Sequence, residues 1–143
     1  MAYSVKRVTN SNLTYDLLEY FNYKGRQLSE LYPYFSNWSK LPLEIFNEGY
    51  IFMAFDQAGQ PKGLMMLDMG PAYFDATKTQ CILMTVSGDS PRATATLLHH
   101  FIDFGKSNAD HIIMSIAKHT NIKPESVLSL GFKELETAYI MEV

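Results

Sequence analysis

A single cysteine, Cys81, is all the thiol chemistry this sequence holds, so no disulfide can form within the chain and nothing in it demands an oxidising compartment. Basic clusters are missing too. No run of five or more Lys and Arg residues occurs and the formal net charge is −3, which removes the electrostatic footprint that binding to a phosphate backbone needs. There is no stretch of about 18 uninterrupted apolar residues, and the N-terminal "MAYSVKRVTN" has no apolar segment of signal-peptide type. These absences leave a soluble, cytoplasmic protein as the expectation, without nucleic-acid or membrane partners. A protein made in a host cytoplasm and packed into a virion reads the same way.

What is present is an ordinary globular composition, 47% apolar and 19% charged over 143 residues. That is enough for one continuous core without metal or disulfide support, and with no repeat and no linker the expectation is a single domain over residues 1–143.

Periodicity orders the elements. Tyr3 to Thr9 alternates as a strand, and "NSN" after it offers capping oxygens to the orphan N–H groups of a first helical turn. Leu13, Leu17, Leu18, Phe21, Leu28 and Leu31 recur at helical spacing, with Gly25 a point of interruption or kink, before "YPYFSNWSKLP" ends the pattern and "PLEIFNEG" adds a short helical turn. Two apolar runs, Tyr50 to Phe55 and Gly63 to Met69, flank the turn-rich "DQAGQPK" and predict a hairpin. "TQCILMTVS" and "ADHIIMSIAK" are apolar on both faces and read as central strands. Between them Ser90 is placed as an N-cap with Pro91 at the first helical position, and Leu97, Leu98, Phe101, Ile102 and Gly105 share a face. "KPESVLSLGF" predicts a short helix closed by Gly131, and "KELETAYIMEV" a last strand. Strand, helix, strand from Gln80 to Lys118 implies a parallel crossover, while the hairpin makes the sheet mixed and largely antiparallel: an α/β (α+β) domain.

The stretch "TVSGDSPRATATLLHHF", Thr85 to Phe101, carries the functional question, because a strand leading into a helix N-terminus presents free N–H groups to anions. The element order and three local signatures resemble the Gcn5-related N-acetyltransferase (GNAT) family. "AFDQAGQPKGLMML" is similar to the family's second and third strands, "CILMTVSGDSPRATATLL" stands where the family has its fourth strand and pyrophosphate loop, and "SVLSLGF" resembles its closing tyrosine-to-Gly-Phe segment, with Gly131 and Phe132 in place. The resemblance covers nearly the whole chain. It implies binding of acetyl-CoA, with pantetheine pairing along Met84, Thr85 and Val86, phosphates at Arg92, Ala93, Thr94 and Ala95, and a further pantetheine contact at Asn121. The implied activity is acyl transfer to a primary amine of a small molecule or protein. The glycine positions of the family loop fall on Arg92, Thr94 or Thr96, and the tyrosine position falls on Val127.

Other readings stand beside these. Thr85 and its neighbours also read as plain sheet core. Asn121 reads equally as a loop residue capping the next helix. His119, at the end of a central strand, and Asp68 are candidate general bases, with Glu44 a further carboxylate of the same kind. His99 and Asp103 stand i and i+4 on one helix face without a third ligand, so no metal is expected and a solvated polar face is the simpler reading. Eight aromatics crowd Tyr15 to Trp38, and Tyr32, Tyr34, Phe35 and Trp38 are the expected acceptor-binding or partner surface, through which a homo-oligomer or another protein can dock. The alternative function is therefore a catalytically inactive binding or structural protein of the same fold, similar to small phage-encoded ones, acting through that aromatic surface.

Overall fold

A computed structural model describes residues 2–31, 43–116, 122–136, 139 and 141. The chain runs β1 (Ser4–Arg7), α1 (Tyr15–Leu31), α2 (Ile45–Glu48), β2 (Tyr50–Phe55), β3 (Pro61–Ala72), β4 (Asp75–Gly88), α3 (Pro91–Asn108), β5 (His111–Met114) and α4 (Pro124–Ser129). One sheet takes the strands in the order β1-β2-β3-β4-β5, antiparallel at every pairing except the parallel β4–β5. This is the mixed, largely antiparallel α+β architecture that the element order predicts.

Two cores lie on the two faces of that sheet, and β2 shows why its sequence is apolar throughout. Ile51 and Met53 pack with Val8, Phe21, Leu28, Phe46 and Leu64 under α1 and α2, while Phe52 and Ala54 pack with Met65, Leu67, Leu83, Leu97 and Phe101 under α3. A strand with helices on both sides has no solvent face on which to place polar residues. Each such side chain contributes about 1.5–3 kcal/mol by burial, so these two layers fix the strands that carry the loop between β4 and α3.

Local signals hold where they are self-contained. Ser90 caps α3, its Oγ accepting from the Ala93 N–H at 3.1 Å, with Pro91 in the first turn. Asp56 and Gly59 close the β2–β3 turn, the Asp56 carboxylate accepting from the Gln60 N–H at 2.9 Å. Gly131 has φ 101° after α4, as a left-handed terminator should.

Four expectations are corrected. The cap of α1 comes from Thr14, whose Oγ1 accepts from the Leu17 N–H at 3.2 Å; Asn12 instead closes the preceding turn by accepting from the Thr9 N–H and donating to the Arg7 carbonyl. Helix α1 continues through Gly25, because that residue is buried against the sheet and packing outweighs its low propensity. β5 is four residues long, half-buried and at the sheet edge among the described residues, so it is not a central strand there. Lys133 to Glu136 form no strand, and Tyr139 and Met141 are exposed; no described strand lies beyond β5 to give that segment a ladder.

Candidate functional site

The geometry of β4 changes along its length. From Gln80, opposite His111, to Leu83, opposite Met114, it is paired on both sides. Beyond that point only β3 remains beside it, through Gly63 opposite Gly88, so from Met84 to Gly88 one edge has no described strand partner. The register also slips at this point. Thr85 faces Met66 and Leu83 faces Leu67, which leaves Met84 as an extra residue in a β-bulge. Its side chain is 59% exposed. An open strand edge beside a bulge offers unpaired backbone N–H and C=O groups to an extended ligand, the way an added strand is held.

The loop that follows is tied to itself. Gly88 donates its N–H to Thr94 Oγ1 at 3.1 Å, the Thr94 hydroxyl in turn donating to the Ser90 carbonyl at 3.3 Å. Asp89 donates its N–H to the Lys62 carbonyl at 2.8 Å, and Thr94 its N–H to Ser90 at 3.1 Å. Gly88 is required because a Cβ there would lie 2.5 Å from both the amide nitrogen and Oγ1 of Thr94. Ala93 is fully buried, whereas Arg92 and Ala95 are exposed. Tyr3 from β1 adds a hydroxyl contact to Ser90 at 3.2 Å.

From the other face α1 reaches the same loop with a charged side chain that sequence reasoning missed. Lys24 is 2% exposed, and its Nζ bridges the Asp89 carboxylate at 2.5 Å and Ser87 Oγ at 3.2 Å. The rings of Tyr20 and Tyr23 lie 5.7 and 5.9 Å from the ammonium. Burial, and next the Asp89 carboxylate, hold the Tyr20 hydroxyl well above the ordinary tyrosine range. That hydroxyl sits close to Asp89 but meets hydrogen-bond geometry with no described atom. A shallow cleft of about 430 Å³, with Asp16, Glu19, Tyr20, Lys62 and Asp89 in its wall, opens above this cluster.

The sequence-predicted residues fall into three groups. Met84, Thr85 and Val86 share the open segment of β4, and Arg92 to Ala95 form the first turn of α3. Asp68 is exposed on β3 opposite Ile82, two residues short of the bulge, in the stretch of β4 that is paired on both sides. Glu44 is exposed at the start of α2. Val127 is buried in α4. His119, Asn121, Tyr32, Tyr34, Phe35 and Trp38 lie outside the described residues, so nothing here favours the partner-surface alternative. Of the other aromatics, Tyr20 and Phe21 enter the core while Tyr15 is exposed. His99 is exposed, and His100 packs its ring 4.9 Å from Phe52; burial lowers its pKa, against an opposing effect of Asp103. No group of three metal-binding side chains exists among the described residues, and no described helix is long and apolar enough to cross a membrane.

A probable acetyltransferase of known structure superposes with a TM-score of 0.71 at 17% identity, covering 100% of this chain and 98% of the other. The chain has the GNAT acetyltransferase fold. An aminoglycoside acetyltransferase from an uncultured soil metagenomic sample matches with TM-score 0.70, 11% identity and coverage of 100% and 99%. An acetyltransferase of Trypanosoma brucei matches with TM-score 0.66, 12% identity and coverage of 99% and 100%. No protein-family model and no curated protein matches the chain. Within the GNAT fold the open edge of β4 is suited to the pantetheine arm of acetyl-CoA, and the exposed Arg92 to a phosphate. The residues present therefore fit the thioester end of that coenzyme. At the phosphate end no glycine stands at Arg92, Thr94 or Thr96, and four amides of the loop are already bonded.

Proposed function

We propose that this chain is an acyl-CoA-dependent N-acyltransferase that moves an acetyl group to a primary amine. The observation that carries the reading is the bulge at Met84 on a strand edge with no strand partner among the described residues. The residues that would hold the coenzyme are Met84, Thr85 and Val86 through their backbone, with Arg92 toward the phosphates. What it supplies when bound is an activated acyl thioester.

The chain's own contributions follow from where its groups stand. Unpaired backbone at the bulge stabilises negative charge developing on an acyl oxygen, and does so without reorganising, because the strand on the β3 side is fixed by its ladder. Asp68, exposed on β3 two residues short of the bulge, is the described candidate carboxylate for the proton that the attacking amine releases. His119 is the second candidate base. With Val127 at the tyrosine position, water or the thiolate's own modest basicity serves the leaving group.

The test is release of free thiol from acetyl-CoA in the presence of a panel of amines: polyamines, aminoglycosides and peptides with free N-termini. Amine-dependent thiol release that falls roughly tenfold or more in Asp68→Asn is the expected result. No release above the uncatalysed rate with any amine class overturns the reading.

A further inference from the structure

We infer that the donor is recognised as a pantetheine thioester, with the nucleotide beyond the pantetheine arm contributing little, so that acetyl-pantetheine serves nearly as well as acetyl-CoA. This rests on the acyl-transfer reading above and concerns which part of the donor this chain binds.

The loop from Gly88 to Thr94 is the only segment of β4–α3 able to offer consecutive backbone N–H groups to a pyrophosphate, and its amides are committed. Gly88 gives its N–H to Thr94 Oγ1, Asp89 to the Lys62 carbonyl, Ala93 to Ser90 Oγ and Thr94 to the Ser90 carbonyl. Pro91 has none. Within the loop only the N–H groups of Ser90 and Arg92 have no partner among the described residues, and they are not adjacent. A phosphate that recruited the other four would leave the hydroxyls of Thr94 and Ser90 and the carbonyl of Lys62 without their donors, so each new bond is offset by a broken one.

Charge points the same way. Asp89 places a carboxylate inside the loop, and Lys24, the cation that balances it, is buried beneath and already bonded to Ser87. An incoming phosphate therefore meets a neutral pair. Arg92 is exposed and takes part in no ion pair among the described residues, and one exposed guanidinium adds about tenfold at most, less at high salt. The pantetheine arm, by contrast, meets an edge from Met84 to Gly88 that has no strand partner among the described residues. Thr94 is thus a specificity-determining residue: its hydroxyl fills the place of the ligand oxygen that the Gly88 amide would otherwise take.

Calorimetric titration of the purified chain with coenzyme A, pantetheine and adenosine 3′,5′-bisphosphate tests this. Dissociation constants for coenzyme A and pantetheine within about tenfold of each other, with no binding of the bisphosphate at millimolar concentration, are expected. A preference for coenzyme A of about 100-fold or more, or clear binding of the bisphosphate, overturns the inference while leaving acyl transfer intact. Binding of none of the three overturns both. Thr94→Ala keeps the helix and frees the Gly88 amide, so the coenzyme A to pantetheine affinity ratio should rise by about tenfold; an unchanged ratio in a folded variant removes Thr94 from the explanation.

Discussion

The ion pair between Lys24 and Asp89 should be strongly asymmetric in its response to mutation. Lys24 is 2% exposed and Asp89 is 31% exposed at the side chain, so the two charges have unequal access to water. Asp89→Ala strands a buried ammonium with one hydroxyl partner, Ser87 Oγ at 3.2 Å, and two aromatic faces; an uncompensated buried charge costs about 3–5 kcal/mol. Lys24→Met removes the buried charge, fills nearly the same volume and leaves a carboxylate that can turn to solvent, which places its cost at about 1–2 kcal/mol. The double variant holds no stranded charge, so it should be more stable than Asp89→Ala alone, with a coupling of about 2–3 kcal/mol. For a chain of this size these values correspond to losses of roughly 10–20 °C and roughly 3–8 °C in Tm for the single variants. Urea unfolding of all four proteins gives the cycle directly, provided the slope with denaturant stays constant. If Asp89→Ala proves no worse than Lys24→Met, or if the two effects simply add, the buried-charge argument is wrong.

Three further outcomes follow from the same structure. Gly88→Ala pushes a Cβ to 2.5 Å from the Thr94 amide and 3.0 Å from the Ala93 carbonyl carbon, so it should cost about 2–4 kcal/mol, with only partial recovery in Gly88→Ala/Thr94→Ala because the backbone clash persists. Burial, and then the Asp68 charge, push the Cys81 thiol up to about 11, so native protein at pH 8 should resist a thiol reagent that modifies the unfolded chain at once. His100 has a lowered pKa, chiefly from burial. The unfolded state therefore binds its proton first, and stability should fall as pH drops below about 6.5, a slope that His100→Gln flattens.

Local chemistry was legible in the sequence and pairing was not. Ser90 with Pro91, the "DQAGQPK" turn and Gly131 each specify their structure within a few residues, and each is found in place. The apolar runs Tyr50 to Phe55 and Gly63 to Met69 predict the β2–β3 hairpin, and the run from Cys81, apolar on both faces, predicts a strand covered on both sides, as the pairing and the two cores show. Lys24 was invisible because a lysine in an amphipathic helix reads as solvent-facing; its burial depends on Asp89, 65 positions later in the chain. The bulge at Met84 leaves no mark in the apolar run "CILMTV", since it is set by the register against β3. The edge position of β5 among the described residues and the absence of strand from Lys133 to Glu136 depend likewise on which neighbours a strand finds. Within the loop, the missing glycines were apparent in the sequence. That Thr94 turns its hydroxyl back onto Gly88 was not, because a threonine in a first helical turn has several local acceptors and donors to choose from.

The open edge of β4 is where the proposed chemistry stands or falls. Amide chemical shifts of the labelled protein, followed by NMR during titration with pantetheine and then with acetyl-CoA, read that edge residue by residue. The largest saturable changes should fall on Met84, Thr85 and Val86, with Gly88 and Asp89 little affected. Saturable binding that leaves Met84 to Val86 unmoved, or no change anywhere at millimolar ligand, would contradict the account.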